Sequence, residues 1–88
     1  EPGPEERLAL ELGYEVCRTG GTSGAVFNAA NEVAVDAFLQ EKIRFTRIVP
    51  LVREVMDTHE VIQRPDVAEL EAADTWAREE AKRCLALS

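Results

Sequence analysis

The chain has 88 residues, of which 45% are apolar, enough to form the core of one small domain and too many for a disordered chain. Its 17 acidic and 10 basic residues give a formal net charge of −7, which disfavours binding to nucleic acid or to anionic membrane surfaces. No apolar run approaches the roughly 20 residues of a membrane-spanning helix, so no membrane partner is expected. The first six residues lack the basic region of a signal peptide and look like a cut within a longer protein.

The first predicted helix covers about 4–19. Pro4 suits a first helical turn, Glu5 and Glu6 lie at the positive end of the helix dipole, and Gly20-Gly21 supplies a stop. The apolar residues fall in two rows, which indicates contacts on two sides of the helix. The rows are Leu8, Ala9, Leu12 and Val16, and Leu10, Tyr14 and Cys17.

The second predicted helix covers about 23–42, with Thr22 or Ser23 as its N-cap. One broad face is apolar, and a polar row lies on the other side. Val35 and Leu39 lie near that row, so we expect even the polar side to be partly covered. The polar row is Asn28, Glu32, Asp36 and Gln40.

Two further helices are predicted at about 46–59, capped by Thr46, and at about 66–87. Asp66 and Glu69 have the spacing of a capping box, and Asp74 indicates a restart after a break near 71–74. Within the last helix, Asp74–Arg78 and Glu79–Arg83 have the spacing of ion pairs. Together the segments predict an all-α fold, a small antiparallel four-helix bundle-like domain over residues 1–88.

Three features invite a functional interpretation, and each has a simpler structural one. The glycine-rich segment 20–24 precedes a helix, but the lysine of a phosphate-binding loop is missing, so a helix stop followed by a helix cap explains it better. His59 is interpreted as a cation at the negative end of a helix dipole rather than a metal ligand. Glu32 and Asp36 are interpreted as a solvated helix edge rather than a catalytic pair of acids.

The two cysteines, Cys17 and Cys84, match no metal-ligand spacing. We interpret them as small buried side chains in a reducing cytosol, with a disulfide between the first and last helices as the alternative.

Asn31 lies at the border of the apolar face of the second helix, where an amide is costly unless it is hydrogen-bonded. We therefore expect Asn28 and Asn31, with Glu32, to bind loop backbone and fix how the helices are joined. If Asn31 binds buried backbone, Asn31→Leu costs about 1–3 kcal/mol and lowers the urea midpoint.

The second helix and its surroundings resemble a known family, the C-terminal helical domain of 1-deoxy-D-xylulose 5-phosphate reductoisomerase. The specific segments are Gly20-Gly21-Thr22, Asn28-Ala29-Ala30-Asn31-Glu32-Val33-Ala34-Val35, Phe38-Leu39 and Lys42-Ile43-Arg44-Phe45. Weaker similarities lie at 8–11 and 74–78, so the resemblance covers almost the whole chain.

The resemblance implies a larger enzyme of non-mevalonate isoprenoid biosynthesis. That enzyme converts 1-deoxy-D-xylulose 5-phosphate to 2-C-methyl-D-erythritol 4-phosphate with NADPH and magnesium or manganese, and it is usually a homodimer. A bacterial cytoplasm, or a plastid, is the expected location. No position here matches the family's catalytic, cofactor or metal motifs, so we expect no catalytic residue, bound cofactor or metal in this chain and no activity from it alone.

The implied role is mechanical, with the catalytic domain of the same polypeptide as partner, and Phe45 is a candidate interdomain contact. The alternative is a free-standing helical module that binds a partner peptide.

Overall fold

The computed structural model describes residues 3–87, apart from the side chain of Glu5. Four helices form this part of the chain, α1 (Pro4–Thr19), α2 (Ser23–Leu39), α3 (Ile48–Thr58) and α4 (Val67–Ala86), with a 3₁₀ turn at Phe45–Arg47. No strand occurs among residues 3–87, and the predicted all-α, bundle-like fold is confirmed. Predictions that fall on Glu1, Pro2, Ser88 or the Glu5 carboxylate lie outside the described residues.

Helix α2 lies at the centre and packs against α1, α3 and α4. Its contact with α4 is built from small side chains on both helices, which allow close approach of the two backbones. These residues include Ala29, Ala30, Ala34 and Ala37 of α2 and Ala73, Ala77 and Ala81 of α4. Helix α3 adds the larger core residues Leu51, Val52 and Val55.

Helix α1 is attached through one of its two apolar rows. Leu12 is buried, and Arg53 of α3 donates to both carboxylate oxygens of Glu15 at 2.5 and 3.1 Å. The second row faces outward, with Leu10 57% and Tyr14 68% exposed. The predicted contact on that side of the helix is therefore not made by residues 3–87.

Helix α2 ends at Leu39, three residues before the predicted end. The Lys42 amide donates to Ala37 O and the Glu41 amide to Phe38 O, both at 2.9 Å. These two bonds are those of a Schellman motif, in which Glu41 takes a left-handed φ of 60°. This stop is not predictable from the residue at position 41, because glycine usually occupies the left-handed position of such a motif.

The predicted cap of α3 was wrong, because Thr46 lies inside the 3₁₀ turn and α3 begins at Ile48 without a side-chain cap. The predicted break near 71–74 was also wrong, since α4 runs unbroken from Val67. The capping box does form: Glu69 N donates to Asp66 Oδ1, and Asp66 N donates to Glu69 Oε1. Because α4 begins at this capping box, Asp74 lies within the helix and does not begin a new one.

Candidate functional site

The junction between α1 and α2 is fastened to the segment that follows α3. Thr22 is fully buried, and its hydroxyl oxygen accepts a hydrogen bond from Ile62 N at 2.9 Å. The same oxygen lies 2.7 Å from His59 Nε2, while the Thr22 amide donates to Ile62 O at 3.1 Å. Thr22 therefore binds a partner about 40 residues away instead of capping α2 with its side chain.

The glycines of this junction have a steric role. Gly20 and Gly21 have φ values of 65° and 56°, in the left-handed region that side chains disfavour. A Cβ built on Gly21 would lie 2.3 Å from the carbonyl oxygen of Ile62. Only glycine permits this approach, so the pair both ends α1 and allows the docking of residue 62.

The junction offers no free hydroxyl to a phosphate group. The Thr22 oxygen is engaged by Ile62 and His59, and Ser23 Oγ donates to Gly20 O at 2.6 Å. Ser23 thus holds the end of α1 and Thr22 the segment after α3, which supports the interpretation of this segment as a helix stop.

His59 differs from its prediction as a cation at the end of α3. Burial lowers the pKa of its imidazole, and the nearby Glu60 carboxylate only partly opposes this effect. Its ring lies 5.3 Å from that of Trp76, and a neutral Nε2 can accept the Thr22 hydroxyl proton. His59 therefore packs between Thr22 and the Trp76 ring of α4, and its lowered pKa disfavours the predicted cation.

The polar row of α2 forms a surface network with α4. Asn28 Nδ2 donates to Glu32 at 3.1 Å, and Arg78 donates to the same Glu32 oxygen at 2.9 Å and to Asp74 at 3.2 Å. The hydrogen bonds that Arg78 donates to Asp74 and, to a smaller extent, to Glu32 raise its pKa. Asn28 and Glu32 thus bind side chains rather than the predicted loop backbone, and Arg78 joins the two helices.

Asn31 stands apart from that network. Its side chain is half-buried, and it makes no hydrogen bond with any of the residues 3–87. Every buried side-chain nitrogen or oxygen within that range has a partner, so the Asn31 amide reaches solvent. The predicted bond from Asn31 to loop backbone is absent from this part of the protein.

Phe45 projects from the 3₁₀ turn between α2 and α3. It is 62% exposed, and its ring lies edge-on to Phe38 with centroids 5.6 Å apart. Beside it is an apolar cleft of about 140 Å³, whose lining includes Leu8, Val49 and Pro50 as well as Phe45.

The acidic and thiol side chains form no obvious site for an ion. No group of three or more His, Cys, Asp or Glu side chains among residues 3–87 is arranged to hold a metal. Cys17 and Cys84 form no disulfide; Cys84 is buried as predicted, whereas Cys17 is exposed because it belongs to the outward row of α1. Along the same residues, every helix falls short of the length and apolarity needed to cross a bilayer.

The sequence of the chain is similar to that of a known protein family. Residues 1–80 match the family model described as the DXP reductoisomerase C-terminal domain. Proteins named 1-deoxy-D-xylulose 5-phosphate reductoisomerase are similar over most of the chain: 47% identical in Halothermothrix orenii over 84% of it, and 49% in Symbiobacterium thermophilum over 92%. The relative from Synechococcus is 51% identical over 90% of the chain. In each case the match spans about a fifth of the relative's length.

Proposed function

Because the chain belongs to the DXP reductoisomerase C-terminal domain family, we propose that it forms a single C-terminal domain, over residues 1–88, of a 1-deoxy-D-xylulose 5-phosphate reductoisomerase. The match to the family model over residues 1–80 carries this proposal. According to this proposal, the whole polypeptide is a homodimer that converts 1-deoxy-D-xylulose 5-phosphate to 2-C-methyl-D-erythritol 4-phosphate in non-mevalonate isoprenoid biosynthesis.

The domain supports the reaction mechanically and contributes no catalytic residue. NADPH and magnesium or manganese would bind the other parts of the polypeptide, since the donor groups among residues 3–87 do not form a cluster that suits a metal. The polar side chains of the α1–α2 junction are likewise engaged internally. A rigid bundle of this kind can hold the wall of a neighbouring active site, where small displacements of reacting groups lower the rate strongly.

The contact with the catalytic part is proposed to include Phe45. A phenylalanine with 62% exposure leaves a large apolar area in water, and aromatic residues are enriched where protein surfaces meet.

The test compares the full-length polypeptide with one truncated before Glu1 and with residues 1–88 alone. NADPH oxidation is followed with 1-deoxy-D-xylulose 5-phosphate and magnesium. We expect activity in the full-length protein only. An unchanged rate after truncation would remove the mechanical role, and an inactive but folded and metal-loaded full-length protein would remove the assigned reaction and favour the free-standing module.

A further inference from the structure

We propose that the catalytic part of the same polypeptide docks on one defined face of this domain, made by Asn31, Val35, Phe38, Leu39 and Phe45 and called here the Phe45 surface. This inference rests on the proposed function and names the face through which it acts.

The five side chains are related by helical spacing on α2 and by one ring contact. Asn31, Val35 and Leu39 follow one another at intervals of four residues on α2, so they form a row along the helix. Phe38 borders that row and meets Phe45 edge-on. Leu39 is 70% and Phe45 62% exposed, so the described residues leave two large apolar side chains of this set open to solvent. Apolar groups that adjoin one another on a surface often mark a binding site.

Asn31 gives the Phe45 surface a specific hydrogen-bonding group. Its amide is half-buried, reaches solvent and makes no hydrogen bond with residues 3–87. By contrast, Asn28 and Glu32 on the next row are bound to each other and to Arg78. An apolar patch with one unengaged amide matches the usual interface, in which a few placed hydrogen bonds accompany apolar burial. Asn31 is therefore expected to bind a polar group of the docked part.

A cleft adjoins this surface at Phe45. Its volume of about 140 Å³ and its apolar lining from Leu8, Val49 and Pro50 suit one inserted apolar side chain. Such an inserted side chain would also cover the Phe45 ring.

The occupant is identified from the size of the face and from the length of the relatives. About four-fifths of each relative lies outside the match, so a large body is tethered to the corresponding domain. A tethered body needs little contact area, because its effective concentration is high. A stable contact between separate copies instead needs roughly 20–30 residues a side, far more than the five residues of the Phe45 surface.

The outward row of α1 is the competing face, because Leu10 and Tyr14 are comparably exposed. Charged residues flank both faces, so charge does not separate them. Among residues 3–87 the Tyr14 ring contacts no other ring, whereas Phe38 and Phe45 meet edge-on, so the α1 row serves as an internal comparison.

The experiment is hydroxyl-radical footprinting of the full-length polypeptide, read residue by residue. Leu39 and Phe45 should oxidise about fivefold more slowly than their exposure in the domain implies, since an interface core excludes most solvent. Leu87 and Tyr14, with 74% and 68% exposure, are the matched controls and should oxidise at the rate their exposure implies. Equal rates at Leu39 and Leu87 would overturn the proposal. If the protection of Leu39 and Phe45 from oxidation disappeared when the protein was diluted to the monomer, the proposal would also be overturned. A second copy of the polypeptide would then be the body that covers the Phe45 surface.

A pair of variants tests the same face by function. Leu39→Lys and Leu87→Lys both place a cation at a helix C-terminus, where it is locally favourable. We expect Leu39→Lys to lower kcat/KM about tenfold or more, as small misplacements do, and Leu87→Lys to leave it within about twofold. Equal effects of the two variants would contradict the proposal. A wild-type protein that lacks reductoisomerase activity would instead refute the proposed function, and the footprint would still decide the docking face.

Discussion

Removing the hydroxyl of Thr22 tests whether its hydrogen bonds to residues 59 and 62 stabilise the α1–α2 junction. Thr22→Val keeps the shape of the side chain but deletes the acceptor for Ile62 N and the partner of His59 Nε2. Two hydrogen bonds are lost, each contributing about 0.5–1.5 kcal/mol, so the free energy of unfolding should fall by about 1–3 kcal/mol. The backbone bond from the Thr22 amide to Ile62 O remains and limits the loss.

The assay is urea unfolding followed by far-UV circular dichroism. A loss near 2 kcal/mol shifts the midpoint by about 1–2 M for a domain of this size. The heat-unfolding midpoint should fall by roughly 8–16 °C, at about 4–8 °C per kcal/mol.

Thr58→Val is the matched control. Thr58 is exposed, and its hydroxyl bonds only to Glu54 O one turn earlier in α3. Its replacement should change stability by less than about 0.5 kcal/mol. If Thr22→Val were no more damaging than Thr58→Val, the argument that Thr22 joins two distant segments would be refuted.

The remaining predictions concern single residues near the same elements. Burial lowers the pKa of His59 in the folded state below its ordinary value of about 6.5. Near that pH the folded state therefore binds fewer protons than the unfolded state. The contribution of His59 to the free energy of unfolding should be present in full above that pH and should be lost as the pH falls below it. A pH series of urea midpoints should show this loss and His59→Gln should lack it, whereas a gain in stability on acidification would restore the cationic interpretation. Gly21→Ala should lower the free energy of unfolding by more than about 2 kcal/mol, because the added Cβ meets the Ile62 carbonyl. Gly13→Ala adds a Cβ in open space within α1 and should raise the free energy of unfolding by about 0.5–1 kcal/mol. Equal effects of the two variants would contradict the steric argument. Glu41→Gly should raise the unfolding free energy by about 0.5–1 kcal/mol by relieving a left-handed φ, and thermal unfolding that shows no gain would count against strain there.

Much of the secondary structure follows from local signals in the sequence. Pro4 opens α1, Gly20 and Gly21 end it, and Asp66 with Glu69 starts α4, all as predicted. These signals act within four or five residues, because a helix end is decided by which nearby groups satisfy its unpaired amides and carbonyls. Local chemistry is thus sufficient wherever the stop or start needs no distant partner.

The ion pairs show the limit of local spacing. Asp74–Arg78 forms as predicted, but Arg83 binds Glu80 at 2.6 and 2.9 Å instead of Glu79. Arg78 also reaches Glu32, 46 residues away, a partner that no helical spacing can indicate. Arg53 and Arg78 each reach two carboxylates, one on the same helix and one on another, and the packing of the helices supplies the second.

The sequence by itself determined an all-α chain, its family and the approximate course of four helices, because periodic apolar residues and helix ends are properties of short segments. Only the tertiary structure decided that Thr22 binds residues 59 and 62, that burial lowers the pKa of His59, and that Phe45 is exposed. These outcomes depend on which segments meet after folding. Burial, and with it protonation and exposure, is a property of the assembled helices rather than of any one of them.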